Sequence, residues 1–259
     1  MKLDATELRY AYRQVSLAEA RVVFEQSAPC NPKKYFNILD GYLTPYRGFV
    51  NTLFTKPDLF DRFPYTHQVP PASTHPIIEN FQDCHRTYQS HMAKLHASYG
   101  LAGEAIELSL ATDPANEEEE LGDLMFYTIA LLESYKIPIY SLSSIYEVVS
   151  PSPCLLDVWL TVADKSLDAT KREVFYRQDE MKLTSPRLEM TQSIARALGY
   201  NVGLTTANSC LHALQHVNRL VTNNIQKLLK RYPTLTFTTE DSYSRLDKLD
   251  EVQSNPTGA

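Results

Sequence analysis

"GLAGEAIELSLATDPANEEEELGDLMFY" occupies residues 100–127, and the fold turns on how it is read. Apolar residues recur every three or four positions on both sides of a break, while carboxylates recur at three-residue intervals inside the same pattern. Asp113 and Pro114 end a first helix over about 101–111, and Asn116 is a fitting N-cap for a second over about 117–135. The glutamates after Asn116 suit the positive end of that second helix. Residues three apart project from nearly the same helical face, so Glu104 with Glu107, and Glu120 with Asp123, form two local pairs of carboxylates. Twelve residues separate Glu107 from Glu120, enough to finish one helix, turn, and lay the next antiparallel beside it with all four acids facing one another.

Such a cluster is unfavourable by itself. Two like charges about 5 Å apart at an effective dielectric near 20 repel by roughly 3 kcal/mol, and several such pairs rival the stability of a whole domain. Either some of the carboxylates take up protons or a divalent cation sits between them. Oxygen-only ligands favour magnesium, manganese or calcium over zinc, and neither pair has the Glu-x-x-His spacing of a bundle di-iron site. Small and apolar neighbours (Leu101, Ala102, Ala105, Leu121, Leu124) place the acids at the border of an apolar seam rather than on a fully wetted face. Gly103 and Gly122, costly inside helices, are expected where another helix or a ligand comes close.

Outward from this stretch the chain reads as helical. A long helix begins after Pro76 with "IIENFQDCHRTYQSHMAKLHASYG", and another covers about 5–27. Between Pro29 and Pro76, prolines, tyrosines and turn residues show no sustained period, and an irregular elaboration with one short helix near "YRGFVNTLF" is expected. After Pro138 come two helices near 153–176 and 186–199, separated by the polar "RQDEMKLTS". A last helix over about 205–231 stops at Pro233, and the final residues read as a disordered tail.

Composition narrows the function. A hydrophobic content of 43% suits a packed core, and only 8 glycines in 259 residues favour helices. No stretch is long and apolar enough for a membrane span, and the net charge of −6 speaks against a nucleic-acid partner. "MKLDATELRYAYRQ" lacks the apolar core of a secretion signal and the four cysteines are widely spaced, so a cytoplasmic setting with inert thiols is expected. P-loop, paired-glycine and Gly-x-Ser-x-Gly patterns are absent from the sequence. The histidines His75, His85, His91 and His96 lack metal-binding partners at suitable spacing, as do His212 and His216, and Trp159 with most tyrosines reads as core.

"GLAGEAIEL" followed by "EEELGDLMFYTIALL" closely resembles the Glu-x-x-Glu … Glu-x-x-Asp motif of the MazG-like nucleoside triphosphate pyrophosphohydrolases, the all-α NTP-pyrophosphatase group. "NIQKLLKRYPTLTFTTEDSYSR", Asn224–Arg245, resembles the same family's last helix and tail, with Ser244 where the family usually has Asn. The resemblance covers about half of the chain, over 76–137 and 212–247. It implies an all-α antiparallel bundle over 76–247 with an insertion at about 138–205, an N-terminal elaboration over 1–75 and a tail over 248–259. It also implies that Glu104, Glu107, Glu120 and Asp123 bind magnesium, with manganese a possible substitute, and that Asn224, Lys227, Arg231 and Arg245 contact the phosphates.

The expected reaction is magnesium-dependent hydrolysis of a ribo- or deoxyribonucleoside triphosphate to monophosphate and pyrophosphate, with one glutamate, such as Glu107, orienting the water. Two alternatives stand beside it: a non-catalytic helical module binding a nucleotide or a protein, and a related pyrophosphohydrolase for phosphoribosyl-ATP or a nucleotide sugar. Within the insertion, "LLDVWLTVADKSLDATKREVFYRQ" is similar to the family's first catalytic helix, with Val162 and Lys165 where glutamates belong. It reads either as a degenerate internal repeat, which would let one chain act as a monomer, or as an ordinary insertion in a homodimeric protein.

Overall fold

The computed structural model describes residues 32–54, 76–146, 154–176, 180–200 and 210–233. The regular elements among them are all helical: α1 Pro32–Phe54, α2 Pro76–Leu110, α3 Pro114–Ser134, a 3-10 segment Ile139–Ser144, α4 Leu155–Val174, α5 Glu180–Tyr200 and α6 Cys210–Arg231. The expected helix over 5–27, the residues 55–75, the start of the last helix at 205–209 and the tail lie outside the described residues. Among those described, no helix is long and apolar enough to cross a membrane.

The 100–127 stretch folds as a helical hairpin, with two corrections. Residues 101–110 are the end of a single 35-residue helix, α2, which runs through Gly100 and Gly103 without interruption. The cap of α3 is Asp113, not Asn116: its carboxylate accepts the Ala115 and Asn116 backbone N–H groups at 2.9 and 3.0 Å. Pro114 then occupies the first helical position, where its fixed φ suits the helix and its missing N–H would have had no partner. At the other end Lys136 takes a left-handed φ of 56°, its N–H bonding the Glu133 carbonyl while that of Ile137 bonds Leu132, a closed stop for α3.

Leu101, Ala105 and Leu108 of α2 face Leu121, Leu124, Met125 and Ile129 of α3 in one core. Cross-contacts run in opposite senses along the two chains: His96 meets Tyr127, and Glu104 meets Glu120, so the pair is antiparallel. Gly100 is required by this packing, because the Tyr127 ring lies where a Cβ would stand. Gly122 serves likewise for α6, since a Cβ there would come 3.2 Å from the Leu220 carbonyl oxygen. Gly103 corrects expectation: nothing lies within 4 Å of its Cβ position. Gly100→Ala is therefore expected to destabilise the fold by about 1–3 kcal/mol through overpacking. Gly103→Ala should be neutral or stabilising by up to about 1 kcal/mol through helix propensity. Urea denaturation of the two variants reads the contrast directly, and equal effects would mean that the Tyr127 contact does not decide the packing.

The irregular reading of 29–76 is overturned over its described part. Residues 32–54 form a 23-residue helix that includes Pro45, and Tyr35, Phe36, Leu39, Tyr42, Leu43, Tyr46, Phe49, Val50 and Leu53 line its buried side. That is a helical stripe once the tyrosines count as apolar body with a polar tip. α1 packs against α3, α6 and the 3-10 segment, tied by Arg47 to Glu133 at 2.5 Å and by Asp40, which accepts the Ile139 N–H at 3.2 Å.

α4 and α5 form the other side of the bundle. α4 packs along α2, where Ser98 and Thr170 share a buried hydroxyl bond of 2.8 Å and Lys94 pairs with Glu173 at 2.5 Å. Burial pushes the Glu173 carboxyl up, but Lys94 and Arg187 outweigh it and hold the group below its usual range. α5 begins at Glu180, earlier than read, with Pro186 inside it. Trp159 and Val162 are fully buried core residues of α4, Lys165 pairs with Asp164 and Glu189, and Cys154 is an exposed thiol at the α4 N-cap.

Candidate metal centre

Three helices meet around the acids. α2 carries Glu104 and Glu107, the first three turns of α3 carry Glu117–Glu120 and Asp123, and α6 crosses α3 at Gly122 carrying Asn224 and Lys227. Successive glutamates on α3 point to different neighbours because each residue turns about 100° around the helix. Glu120 turns towards α2, Glu118 reaches Arg219 of α6 at 2.6 Å, and Glu119 accepts from Lys227 Nζ at 3.1 Å.

Glu104, Glu107 and Glu120 each offer one carboxylate oxygen to a common point, all three oxygens lying within 4.8 Å of one another. Glu104 and Glu120 are half-buried and Glu107 is exposed, so the group opens to solvent on the Glu107 side. Burial first, and then Asp123, a hydrogen bond with Glu120 and the charge of Glu107, push the Glu104 carboxyl up to about 9. Burial also raises Glu120, against the opposing pull of its hydrogen bond with Glu104 and of Lys227. The repulsion anticipated from the sequence thus shows as carboxyls pushed up at Glu104 and Glu120, which hydrogen-bond one another.

The fourth acid is placed differently. Asp123 adjoins the three glutamates but both its oxygens are taken from α6: Asn224 Nδ2 donates to Oδ1 at 2.5 Å and Lys227 donates to Oδ2. Burial raises the Asp123 carboxyl, and Lys227 draws it back in part. Burial lowers the Lys227 ammonium, yet Asp123 and Glu119 prevail and hold it above its ordinary value.

The basic block is only partly at the site. Lys227 is there, and Arg231 is near enough for its charge to act on Asp123. Asn224 is 3% exposed with both ends of its amide engaged, to Asp123 and to Tyr46, so it braces the acid instead of facing a phosphate. Arg245 and Ser244 lie outside the described residues. A cavity of about 350 Å³ opens between α3 and α6, walled by Glu118, Glu119, Gly122, Asn223, Lys227 and Lys230, and none of the three convergent glutamates lines it. Sequence reasoning missed Glu119, hidden within the "EEEE" run, and Tyr46, hidden in a segment read as irregular.

Three convergent hard oxygen donors, one of them a carboxyl raised by burial and then by its acidic neighbours, make a donor set of the kind that magnesium or manganese takes. Comparison with known proteins adds no name: no family model, no curated protein and no solved structure matches the chain.

Proposed function

We propose that the chain is a magnesium-dependent pyrophosphohydrolase of the MazG-like type that cleaves a nucleoside triphosphate between its α and β phosphates. The observation that carries this reading is the convergence of Glu104, Glu107 and Glu120 on one point between α2 and α3. The Glu-x-x-Glu … Glu-x-x-Asp resemblance supports it.

Glu104, Glu107 and Glu120 would hold the ion, with Asp123 at its edge. Magnesium would supply neutralisation of the triphosphate and Lewis-acid polarisation of the α-phosphoryl group. Glu107, the exposed acid of the three, orients a water and accepts its proton as the water oxygen bonds to the α-phosphorus. The bond from that phosphorus to the α–β bridging oxygen breaks, and the pyrophosphate departs with the electron pair. Lys227 and Arg231, both acting on Asp123, would supply positive charge to balance the negative charge growing on that leaving group. The nucleoside monophosphate keeps the α-phosphorus and the oxygen of water.

A panel of ribo- and deoxyribonucleoside triphosphates, phosphoribosyl-ATP and nucleotide sugars, incubated with magnesium and resolved by chromatography, tests the proposal. Monophosphate and pyrophosphate in equal amounts from at least one triphosphate is the expected result. Turnover confined to phosphoribosyl-ATP or a nucleotide sugar would move the substrate class, and no product from any member would leave a non-catalytic binding module.

A further inference from the structure

Asp123 is braced from two helices away. Its Oδ1 takes the Asn224 amide at 2.5 Å, and Asn224 in turn accepts, through Oδ1, the hydroxyl of Tyr46 at 2.9 Å. Tyr46 is fully buried on α1, Asn224 is buried on α6, and Asp123 is on α3, so the chain of bonds links three separate elements. Its direction is fixed chemically. Burial, together with the charge of Asp123, raises the Tyr46 phenol, which therefore remains an O–H donor at any working pH. With the amide oxygen committed to that donor, the amide nitrogen must face the carboxylate. Asp123 Oδ1 is thereby pinned, while Oδ2 accepts from the Lys227 ammonium.

We propose that Tyr46 and Asn224 are positioning residues that hold Asp123 next to the glutamates of the cation site, so that the acid on α3 is set from α1. The inference rests on the metal-binding reading given above. Partners that orient a ligating carboxylate act on affinity almost as strongly as the ligands themselves, because an unbraced carboxylate must be ordered by the ion that binds it.

The molecule contains its own control. One turn earlier on α1, the Tyr42 hydroxyl donates to Asn218 Oδ1 of α6, joining the same two helices through the same chemical groups. Among the described residues, Asn218 makes no hydrogen bond to the acids. The test is calorimetric titration of the whole chain at pH 8 with manganese chloride, comparing wild type, Tyr46→Phe and Tyr42→Phe, with melting temperatures of the ion-free proteins alongside. Tyr46→Phe is expected to weaken manganese binding about tenfold, the low end of the range for such partners, while Tyr42→Phe binds as wild type does. Equal weakening in both variants would mean general loosening of the α1–α6 contact and would overturn the inference. Unchanged affinity in Tyr46→Phe would overturn it too, while leaving the metal site itself standing. Failure of the wild-type protein to bind manganese would remove the metal reading and this inference together.

Discussion

Glu104→Gln should abolish turnover and yet raise the melting temperature of the ion-free protein at pH 8. The two effects have one origin. Glu104 is half-buried among acids, and burial followed by the charge of Asp123 pushes its carboxyl up to about 9, so the folded ion-free site holds a proton there that the unfolded chain would release. A group whose folded value is raised contributes stability below its unfolded value and loses it as pH rises towards the folded one. At pH 8 the wild-type protein has spent most of that contribution. Glutamine is neutral at every pH, keeps the length of the side chain, and offers an N–H to Glu120 in place of that proton. The variant should therefore melt a few degrees higher than wild type without metal, and gain nothing from magnesium. Losing one of three converging ligands, with about 4 kcal/mol of transition-state stabilisation at stake, corresponds to at least about a thousandfold loss in rate. Scanning calorimetry and a pyrophosphate-release assay on the same preparation check both halves. A variant that melts lower than wild type would show that Glu104 is ionised and paired in the fold, and a variant with retained turnover would remove it from the metal site.

The sequence carried the hairpin because its physics is local. Carboxylates at three-residue spacing, an apolar seam and an Asp-Pro break specify two antiparallel helices and bring Glu104, Glu107 and Glu120 together without reference to the rest of the chain. Even there, the cap lies three residues before Asn116, at Asp113, whose following proline makes it the better start. What sequence could not supply depends on distant partners. Asp123 and Glu120 have the same spacing rules and similar neighbours, yet one turns to Asn224 and Lys227 on α6 and the other to Glu104 on α2. The partners that decide it for Asp123 lie 101 and 104 residues away in sequence. α1 was missed for a different reason: its stripe is built partly from tyrosine, and Pro45 sits inside it, so its period disappears on any reading that treats both as turn residues. The Tyr46 hydroxyl is the point of contact with the site, through Asn224, while that of Tyr42 bonds Asn218 on the same helix. A leucine stripe would have been easier to recognise and would have made neither bond.

Manganese affinity should rise steeply between pH 6 and pH 8, by up to about tenfold per unit if one proton leaves for each ion bound. The direction follows from Glu104. Below about 9 its carboxyl is protonated in the ion-free fold, through burial first and its acidic neighbours second, and an entering cation must displace that proton before the oxygen can serve as a ligand. Glu120, raised by burial and sharing a hydrogen bond with Glu104, moves in the same direction. Lys227 remains charged across this interval, since Asp123 and Glu119 outweigh its burial and hold it above its ordinary value, so its pairing with Asp123 adds no opposing slope. Titrations at fixed pH in two buffers of different ionisation enthalpy count the released protons, and a series from pH 6 to 8 gives the slope. About one proton per ion, with ion-free stability falling over the same interval and metal-saturated stability holding level, is the expected set of results. Flat affinity with no proton release would mean that the three glutamates are already ionised before the cation arrives. Their mutual repulsion would then have to be relieved by spreading apart, and the ion would have to draw them back into the 4.8 Å group on which the proposed chemistry depends.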